Sequence, residues 1–170
     1  MNLTRYTDYS LRVLTYLSVK PERPITIDEM AAAYGISANH LMKIVHRLGM
    51  RGYLRTLRGK KGGVLLGKPP ERINLGEVVR WTEDRWDLVE CFDPRTDRCR
   101  ISPACRLRSA LSRALNSFFA TLDGYTLADL VRPPGALAVL LDGTGTGSSR
   151  RRRPAPETRT QQEKTKRRHS

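Results

Sequence analysis

The chain has 170 residues and carries 31 Lys and Arg against 17 Asp and Glu, a formal net charge of +14 at pH 7. This length suits one domain of ordinary size with an extension, and the charge favours a polyanionic partner such as DNA. The first ten residues lack the layout of a signal peptide, and no run approaches the roughly 20 apolar residues of a membrane span, so a cytoplasmic location and no membrane partner are predicted.

The N-terminal part of the chain carries two helical patterns. Apolar residues recur at helical spacing from residue 3 to residue 17, and the run ends before two prolines, which predicts a first amphipathic helix. Thr26 followed by Glu29 has the spacing of a capping box, so a second helix is predicted to begin near Ile27. This helix is expected to end at Gly35, because glycine readily takes the left-handed conformation that terminates helices.

A third helix and a hairpin are predicted next along the chain. Ser37 is expected to cap the helix SANHLMKIVHRLG, and Gly49 is expected to stop it. After Tyr53, the segment LRTLRGKKGGVLLG has two short apolar runs separated by glycines and cations, a pattern typical of a β-hairpin. The order of the second helix, third helix and hairpin predicts a winged helix-turn-helix, with its turn at Gly35.

Packing and charge both support this prediction. The residues expected to form the core shared by the second and third helices, including the close crossing at Ala31, are Met30, Ala31, Tyr34, Ile36, Leu41 and Ile44. A generic helical hairpin would have the same spacing. From Met30 to Pro70, however, there are eight Lys or Arg and no Asp or Glu, whereas a merely solvated surface mixes charges of both signs. This distribution favours a DNA-binding surface.

The predicted DNA contacts lie at the start of the third helix and on the hairpin tip. They are Ser37, Ala38, Asn39, His40, Lys43, Arg47, Arg58, Lys60 and Lys61. The start of such a helix meets base edges in the major groove, where Asn39 would pair with adenine and Lys43 with guanine or a phosphate. Arg47 and the hairpin cations are expected to contact phosphates, which position the protein without specifying sequence.

The second half of the chain is predicted to contain a helix over residues 75–86, a polar loop from residue 90 to residue 103, and a long helix. In the long helix, Ser102 would be the N-cap and Pro103 would lie in the first turn. Its apolar stripe consists of Leu107, Ala110, Leu111, Ala114, Leu115, Phe118 and Leu122. Thr126 is expected to cap a short last turn.

The predicted fold is therefore mainly α, a winged helix-turn-helix with a two-stranded wing and a long dimerisation helix. We divide it into a DNA-binding domain (1–90), a cysteine loop that binds a cluster (91–105), and the dimerisation helix with a C-terminal turn (106–132). Residues 143–170 contain nine Lys or Arg and two Glu, without large apolar residues, and are predicted to be a disordered basic tail. This tail would either grip DNA non-specifically or serve only as solubilising charge.

The three cysteines of the sequence are its candidate metal ligands or reactive thiols. Cys91, Cys99 and Cys105 have the spacing C-x7-C-x5-C, an odd number of thiols in a chain with no export signal, which favours metal binding or reactive thiols over disulfides. Three thiolates are one ligand short of a closed zinc site or a fully cysteine-ligated iron–sulfur cluster. Incomplete ligation suits a sensor, but casual thiols and a structural zinc site remain alternatives.

Several segments carry a resemblance to a known family. They are LTRYTDYSLRVLTYL, ITIDEMAAAYGISANHLMKIVHRL, RGKKGGVLL, INLGEVVRWTE and, most specific of all, CRISPACRLRSAL. On these segments the chain, from residue 1 to about residue 132, resembles the iron–sulfur winged-helix transcriptional regulators, and within them the nitric-oxide-sensing repressors. The resemblance implies a repressor and not an enzyme.

The resemblance further implies a homodimer that binds double-stranded operator DNA and carries one iron–sulfur cluster per subunit. The ligands that match the family are Cys91, Cys99 and Cys105, with Asp8 of the partner subunit as the fourth ligand of a [4Fe-4S] cluster; a [2Fe-2S] cluster is the alternative. No histidine lies between Cys105 and His169, which disfavours the related branch that governs cluster biogenesis. Nitric oxide would react with the iron and release the operator.

Three rival hypotheses stay open on sequence alone. The chain could be a regulator of the same kind that responds to another stimulus, a zinc-stapled DNA-binding module, or a basic iron–sulfur redox carrier or enzyme. The absence of acidic residues from Met30 to Pro70 argues against the last of these.

Overall fold

The computed structural model describes residues 2–59 and 61–141. The predicted wing residue Lys60 and the predicted basic tail 143–170 therefore lie outside the described residues. The elements are α1 (Arg5–Val19), α2 (Ile27–Tyr34), α3 (Ala38–Met50), β1 (Leu54–Leu57), β2 (Gly63–Leu66), α4 (Leu75–Thr82), α5 (Arg106–Asp123), α6 (Leu127–Leu130) and α7 (Pro134–Leu141). The predicted fold class, mainly α with a two-stranded wing, is confirmed.

Helix α1 begins at Arg5, two residues later than the sequence pattern indicated. Thr4 is extended, and its hydroxyl accepts a hydrogen bond from the Thr7 backbone N–H, so Thr4 is the N-cap. The apolar Leu3 that suggested an earlier start is exposed. Apolar periodicity alone misplaced this helix end, because a cap is set by hydrogen bonding and not by burial.

Helix α2 has the predicted ends, but its N-terminus forms only half of the predicted capping box. The Thr26 hydroxyl accepts from the Glu29 N–H at 3.1 Å. The Glu29 carboxylate instead accepts from Arg23 Nη2 at 2.6 Å and from the Tyr16 hydroxyl at 2.9 Å, and the hydrogen bond from Arg23 lowers the pKa of Glu29. The side chain of Glu29 thereby fastens α2 to α1 rather than to its own cap.

Gly35 ends α2 in the left-handed conformation, with φ 63° and ψ 34°. We expect Gly35→Ala to lower the free energy of unfolding by about 1–2 kcal/mol, because a Cβ atom is strained at positive φ. Chemical denaturation of the two proteins measures this difference. Gly135→Ala is the matched control, since Gly135 lies in α7 without positive φ and has open space around it. Equal destabilisation by both changes would contradict the strain argument.

At the ends of α3, the predicted N-cap is confirmed in position only, and the predicted stop is wrong. Ser37 occupies the N-cap position, but its side chain makes no capping hydrogen bond. Gly49 does not stop the helix, which continues one residue further to Met50, because Gly49 lacks the positive φ of a helix-terminating glycine. The chain reverses at Gly52, whose φ is 73°, and the Tyr53 N–H donates to the Leu48 carbonyl at 3.0 Å.

The wing is an antiparallel hairpin in which Leu54 pairs with Leu66 and Leu57 pairs with Gly63. Ile25, just before α2, adds a bridge to this sheet: its N–H donates to the Val64 carbonyl at 3.0 Å, and Val64 donates back at 2.8 Å. The wing is thus fixed to the helix-turn-helix through the backbone, which sets its direction relative to α3.

The core lies where α1, α2, α3, the wing, α4 and α6 meet. Its largest fully buried side chains include Tyr16, Leu14, Leu17, Ile25, Met30, Leu41, Leu48, Ile73 and Leu127. The predicted helix-turn-helix core is confirmed for Met30, Ile36, Leu41 and Ile44, which are all buried. Tyr34 is half-buried at the edge of this core; its hydroxyl donates to the Arg12 carbonyl, and burial raises its pKa to about 12.

Helix α4 is shorter than predicted and ends at Thr82. The Thr82 hydroxyl donates to the Val78 carbonyl at 2.9 Å, and Glu83 turns into an extended conformation as its carboxylate binds α1. Trp86 therefore lies beyond the helix, where its ring contacts Phe118 and Phe119 of α5 at centroid distances of 5.9 and 4.6 Å. The extended Glu83, which no local pattern marks, decides where α4 ends.

The predicted start of the long helix is also wrong. Ser102 and Pro103 belong to a separate 3-10 turn, and Cys105, expected in the first helical turn, is the N-cap of α5. None of the residues of α5 is fully buried, so the described part of the chain covers its predicted apolar stripe only in part. Thr126 caps α6 with a full capping box, as predicted for the short turn, whereas α7 was not predicted.

Candidate DNA interface and thiol site

Helix α3 separates a buried side from an exposed one. Leu41, Ile44, Val45 and Leu48 are buried against the core, so the residues between them face solvent. The exposed side chains include those of Asn39, His40, Lys43 and Arg47, which were predicted to contact DNA, and we call these four the recognition face. Ser37 is exposed and Ala38 is half-buried at the start of the same helix. The structure thus brings the predicted α3 contacts onto one accessible side, with no acidic residue in the first turn.

Met42 projects from the same side, with 54% of its side chain exposed, and the sequence analysis missed it. Its position, three residues after Asn39, was the available signal, because residues three apart are neighbours on a helix surface. An exposed thioether among polar residues offers an apolar contact for a thymine methyl group.

The wing tip carries the remaining predicted contacts. Arg58 and Lys61 are both exposed, and Gly59 between them has φ 103°, a conformation that L side chains rarely adopt. A Cβ atom on Gly62 would collide with the Leu57 carbonyl oxygen. The glycines at the tip are therefore required by the tight turn that presents these cations.

Arg47 is held by aromatic rings, although its side chain is exposed. Its guanidinium carbon lies 4.3 Å from the centroid of Tyr6 on α1 and 5.9 Å from that of Trp81 on α4. Arg51 lies 5.2 Å from the same Trp81 ring. A guanidinium held against rings keeps its charge but loses orientational freedom, so Arg47 is presented in a defined direction.

The three thiols lie between α4 and α5 and are all free. Cys91 is buried in a 3-10 turn, while Cys99 and Cys105 are half-buried. The Cys105 sulfur accepts a hydrogen bond from the Arg108 N–H at 3.4 Å, which places it at the positive end of α5. We call residues 91–105 the cysteine segment. A cavity of about 550 Å³, lined by Cys105, Arg108 and Ser112 among others, opens beside it.

The carboxylates nearest the thiols already have partners. Hydrogen bonds from Arg95 hold the pKa of Asp93 well below its usual range, at about 2, and Arg85 binds the same carboxylate at 3.0 Å. Asp97 accepts from the Ser102 hydroxyl at 2.8 Å and from the Cys99 N–H at 3.1 Å. Both carboxylates are thus engaged with neighbouring groups in the single chain.

Asp8, the ligand implied by the resemblance, lies on α1 and binds Arg12 Nε at 2.9 Å. In residues 2–59 and 61–141, no three His, Cys, Asp or Glu side chains are grouped so that they could hold a metal ion. The structure of the single chain therefore does not bring Cys91, Cys99, Cys105 and Asp8 together. The donor set still suits iron, because three free thiols are soft ligands, and thiolates are the usual ligands of iron–sulfur clusters.

The model of the Rrf2 family, described as an iron-dependent transcriptional regulator, matches residues 3–133. The chain belongs to the Rrf2 family. The HTH-type transcriptional regulator NsrR of Bacillus subtilis is 53% identical over 133 residues, covering 78% of this chain and 91% of that protein. The NsrR of Bacillus licheniformis is 50% identical, over 77% of this chain and 92% of its own.

Solved structures agree with this assignment. A putative transcriptional regulator from Listeria innocua superposes with a TM-score of 0.64 at 26% identity, covering 78% of this chain and 87% of its own. IscR of T. potens has the same fold, with a TM-score of 0.63 at 21% identity over 78% of this chain and 88% of that one. The chain is thus a DNA-binding Rrf2 transcriptional regulator and not an enzyme, as the sequence analysis predicted. None of the helices in the described part of the chain is both long and apolar enough to cross a bilayer.

For this Rrf2 regulator the recognition face gives a direct prediction. Asn39→Ala is expected to weaken operator binding by about 1–3 kcal/mol and to relax sequence preference at one base pair, because a bidentate base contact is lost. Arg58→Ala should instead weaken binding to all sequences and reduce the salt slope by about 0.9. Affinity measured at several salt concentrations, on the operator and on single-base variants, separates the two effects. A uniform loss in Asn39→Ala would show that this residue does not read a base.

Proposed function

We propose that this Rrf2 regulator is a nitric-oxide-sensing iron–sulfur repressor that binds operator DNA as a homodimer. The observation that carries the proposal is the set of free thiols Cys91, Cys99 and Cys105 in one short segment, next to acids that already have partners. Three thiolates are one ligand short of a fully cysteine-ligated cluster, so one iron position needs a further ligand. Relatives called NsrR, at 53% and 50% identity, support the same assignment.

The cluster would be held by the cysteine segment and completed by Asp8 of the partner subunit. On this proposal Cys105 is the ligand that joins the segment to α5, because it is also the N-cap of that helix. When bound, the cluster would supply iron that nitric oxide can bind, and nitric oxide would then displace the thiolate ligands. A [4Fe-4S] cluster is proposed, and a [2Fe-2S] cluster is the alternative that the iron and sulfide content distinguishes.

The partly exposed apolar face of α5 would supply the dimer seam. Leu107 is 64% exposed, and Leu111, Leu115 and Phe118 on the same stripe are only half-buried in the single chain. A second copy packing along this stripe would cover them and would space the two recognition faces for half-sites about one helical turn apart, roughly 34 Å. The proposed base and phosphate contacts are those of α3 and the wing, with Met42 added to them.

An anaerobic titration tests the proposal. The purified dimer is expected to be brown and to contain iron and acid-labile sulfide. The DNA probe is a duplex selected from random sequences with the cluster-loaded protein, and the dimer is expected to protect this duplex in a footprinting experiment. Nitric oxide should bleach the cluster and abolish protection. A colourless protein that protects the same duplex would contradict the proposal, and zinc without sulfide would favour the zinc-stapled module. Iron and sulfide with no footprint would favour a redox carrier.

A further inference from the structure

Glu83, the first residue after α4, clasps the start of α1. Its carboxylate oxygen Oε1 accepts from the Thr4 backbone N–H at 2.7 Å and from the Thr7 hydroxyl at 2.5 Å. Thr4 is the N-cap of α1, and Thr7 is fully buried in its first turn. A carboxylate at this place is favourable, because the N-terminus of a helix carries partial positive charge. The clasp fixes where the first turn of α1 sits relative to the end of α4.

The same two elements supply the rings that hold Arg47. Tyr6 lies in the first turn of α1 beside Thr7, and Trp81 lies in the last turn of α4, two residues before Glu83. Their rings are 6.2 Å apart in an edge-to-face arrangement, and the guanidinium of Arg47 lies against both. Arg47 belongs to the recognition face of α3. We call Tyr6, Trp81, Glu83 and Arg47 the coupling junction.

The coupling junction adjoins two segments that carry proposed ligands, and in the proposed dimer these ligands belong to two different clusters. Cys91 follows Glu83 along the chain after a short, mostly non-helical stretch, and Asp8 follows Thr7 directly on α1. Any rearrangement that draws the cysteine segment or Asp8 toward a cluster therefore acts on the residues that hold Arg47. On the exposed side of α3, Arg47 and the C-cap residue Arg51 both lie against the Trp81 ring of α4.

We propose that Trp81 and Glu83 are positioning residues that transmit the state of the cysteine segment to the recognition helix. Glu83 holds the first turn of α1, and Trp81 with Tyr6 orients the Arg47 guanidinium toward the operator. While Glu83 is hydrogen-bonded to Thr4 and Thr7, Arg47 is pre-organised and loses little conformational entropy when it binds DNA. When these hydrogen bonds are broken, Arg47 must lose that entropy on binding, which lowers the affinity for DNA. The inference rests on the proposed function, since it requires two states of the cysteine segment.

The test compares operator Kd in the cluster-loaded and the nitric-oxide-treated states of the full-length protein. Trp81→Leu and Glu83→Ala should load iron and sulfide as the wild type does. The Kd of the treated form divided by the Kd of the loaded form should nevertheless fall at least tenfold, because the loaded form loses affinity and the treated form does not. Trp81→Phe and Glu83→Gln should restore most of the ratio, since a ring and an acceptor oxygen remain. Glu71→Ala and Tyr125→Leu, which remove an exposed carboxylate and an exposed ring elsewhere, should leave it unchanged.

The outcomes separate this inference from the proposed function. A wild-type ratio of one would refute both. A wild-type ratio that survives in both Trp81→Leu and Glu83→Ala would refute the inference alone. An equal loss of affinity in both states would assign these residues a merely structural role and would also overturn the inference. Thermal unfolding of each variant identifies one that fails to fold, and the other variant then decides.

Discussion

Cys105→Ser is expected to abolish cluster loading and to reduce operator affinity at least about a thousandfold, to the level of non-specific binding. The substitution separates two roles of this residue. Cys105 is the N-cap of α5 and accepts a hydrogen bond from the Arg108 N–H. A serine hydroxyl is a favourable N-cap and keeps that hydrogen bond, whereas it is a poor ligand for iron. The helix should therefore remain while the cluster site is lost.

Absorbance, iron and sulfide content, and operator Kd under anaerobic conditions measure this result, with circular dichroism to check the helix content. Ser109→Ala is the matched control, because it removes an exposed hydroxyl from the adjacent turn of α5 without touching a thiol. If Cys105→Ser retained full iron and sulfide and bound the operator as tightly as the wild type, Cys105 would not be a ligand. Loss of helix in the variant would instead assign it a structural role.

Leu111→Glu is expected to convert the dimer to a monomer and to weaken operator binding by a factor of about 10²–10⁴. Leu111 lies on the α5 stripe, which the described chain covers only in part. A buried carboxylate without a partner at a dimer seam is costly, so association should fail. A monomer binds one half-site and loses the gain in affinity that comes from linking two DNA-binding domains, which accounts for the size of the effect.

Sedimentation or light scattering measures the oligomeric state, and a titration with the duplex measures operator Kd. Arg113→Glu provides the matched control, since it makes a larger charge change at an exposed position of α5 away from the apolar stripe. A dimeric Leu111→Glu, or a monomeric Arg113→Glu, would show that the seam lies elsewhere. Cluster content of the monomer tests a second point, because a fourth ligand from the partner subunit would be lost with it.

Most of the winged helix could be predicted from short-range signals. Thr26 and Gly35 mark the two ends of α2, because a cap and a left-handed turn depend on atoms within four residues. The hairpin follows from two apolar runs around a glycine-rich tip. The exposed side of α3 follows from the spacing of its apolar residues, since residues between buried positions must face solvent. These features need no knowledge of the remaining chain.

The errors occurred at the ends of elements. Gly49 was expected to stop α3, but the helix continues to Met50, and the glycine with positive φ that turns the chain is Gly52. The end of α4 was placed too late, because Glu83 is pulled out of helical conformation by hydrogen bonds to Thr4 and Thr7 of α1. Propensity and periodicity contain no information about such partners.

The candidate site divides in the same way. The sequence by itself determined the three thiols, the one-sign charge from Met30 to Pro70 and the identity of the residues on the recognition face, because these depend on composition and helical spacing. Only the tertiary structure decided that the acids beside the thiols are taken by arginines and hydroxyls, and that Arg47 lies between Tyr6 and Trp81. Contacts between residues far apart in the chain arise from the packing of α1, α3 and α4 around a common core, which a local sequence pattern does not encode.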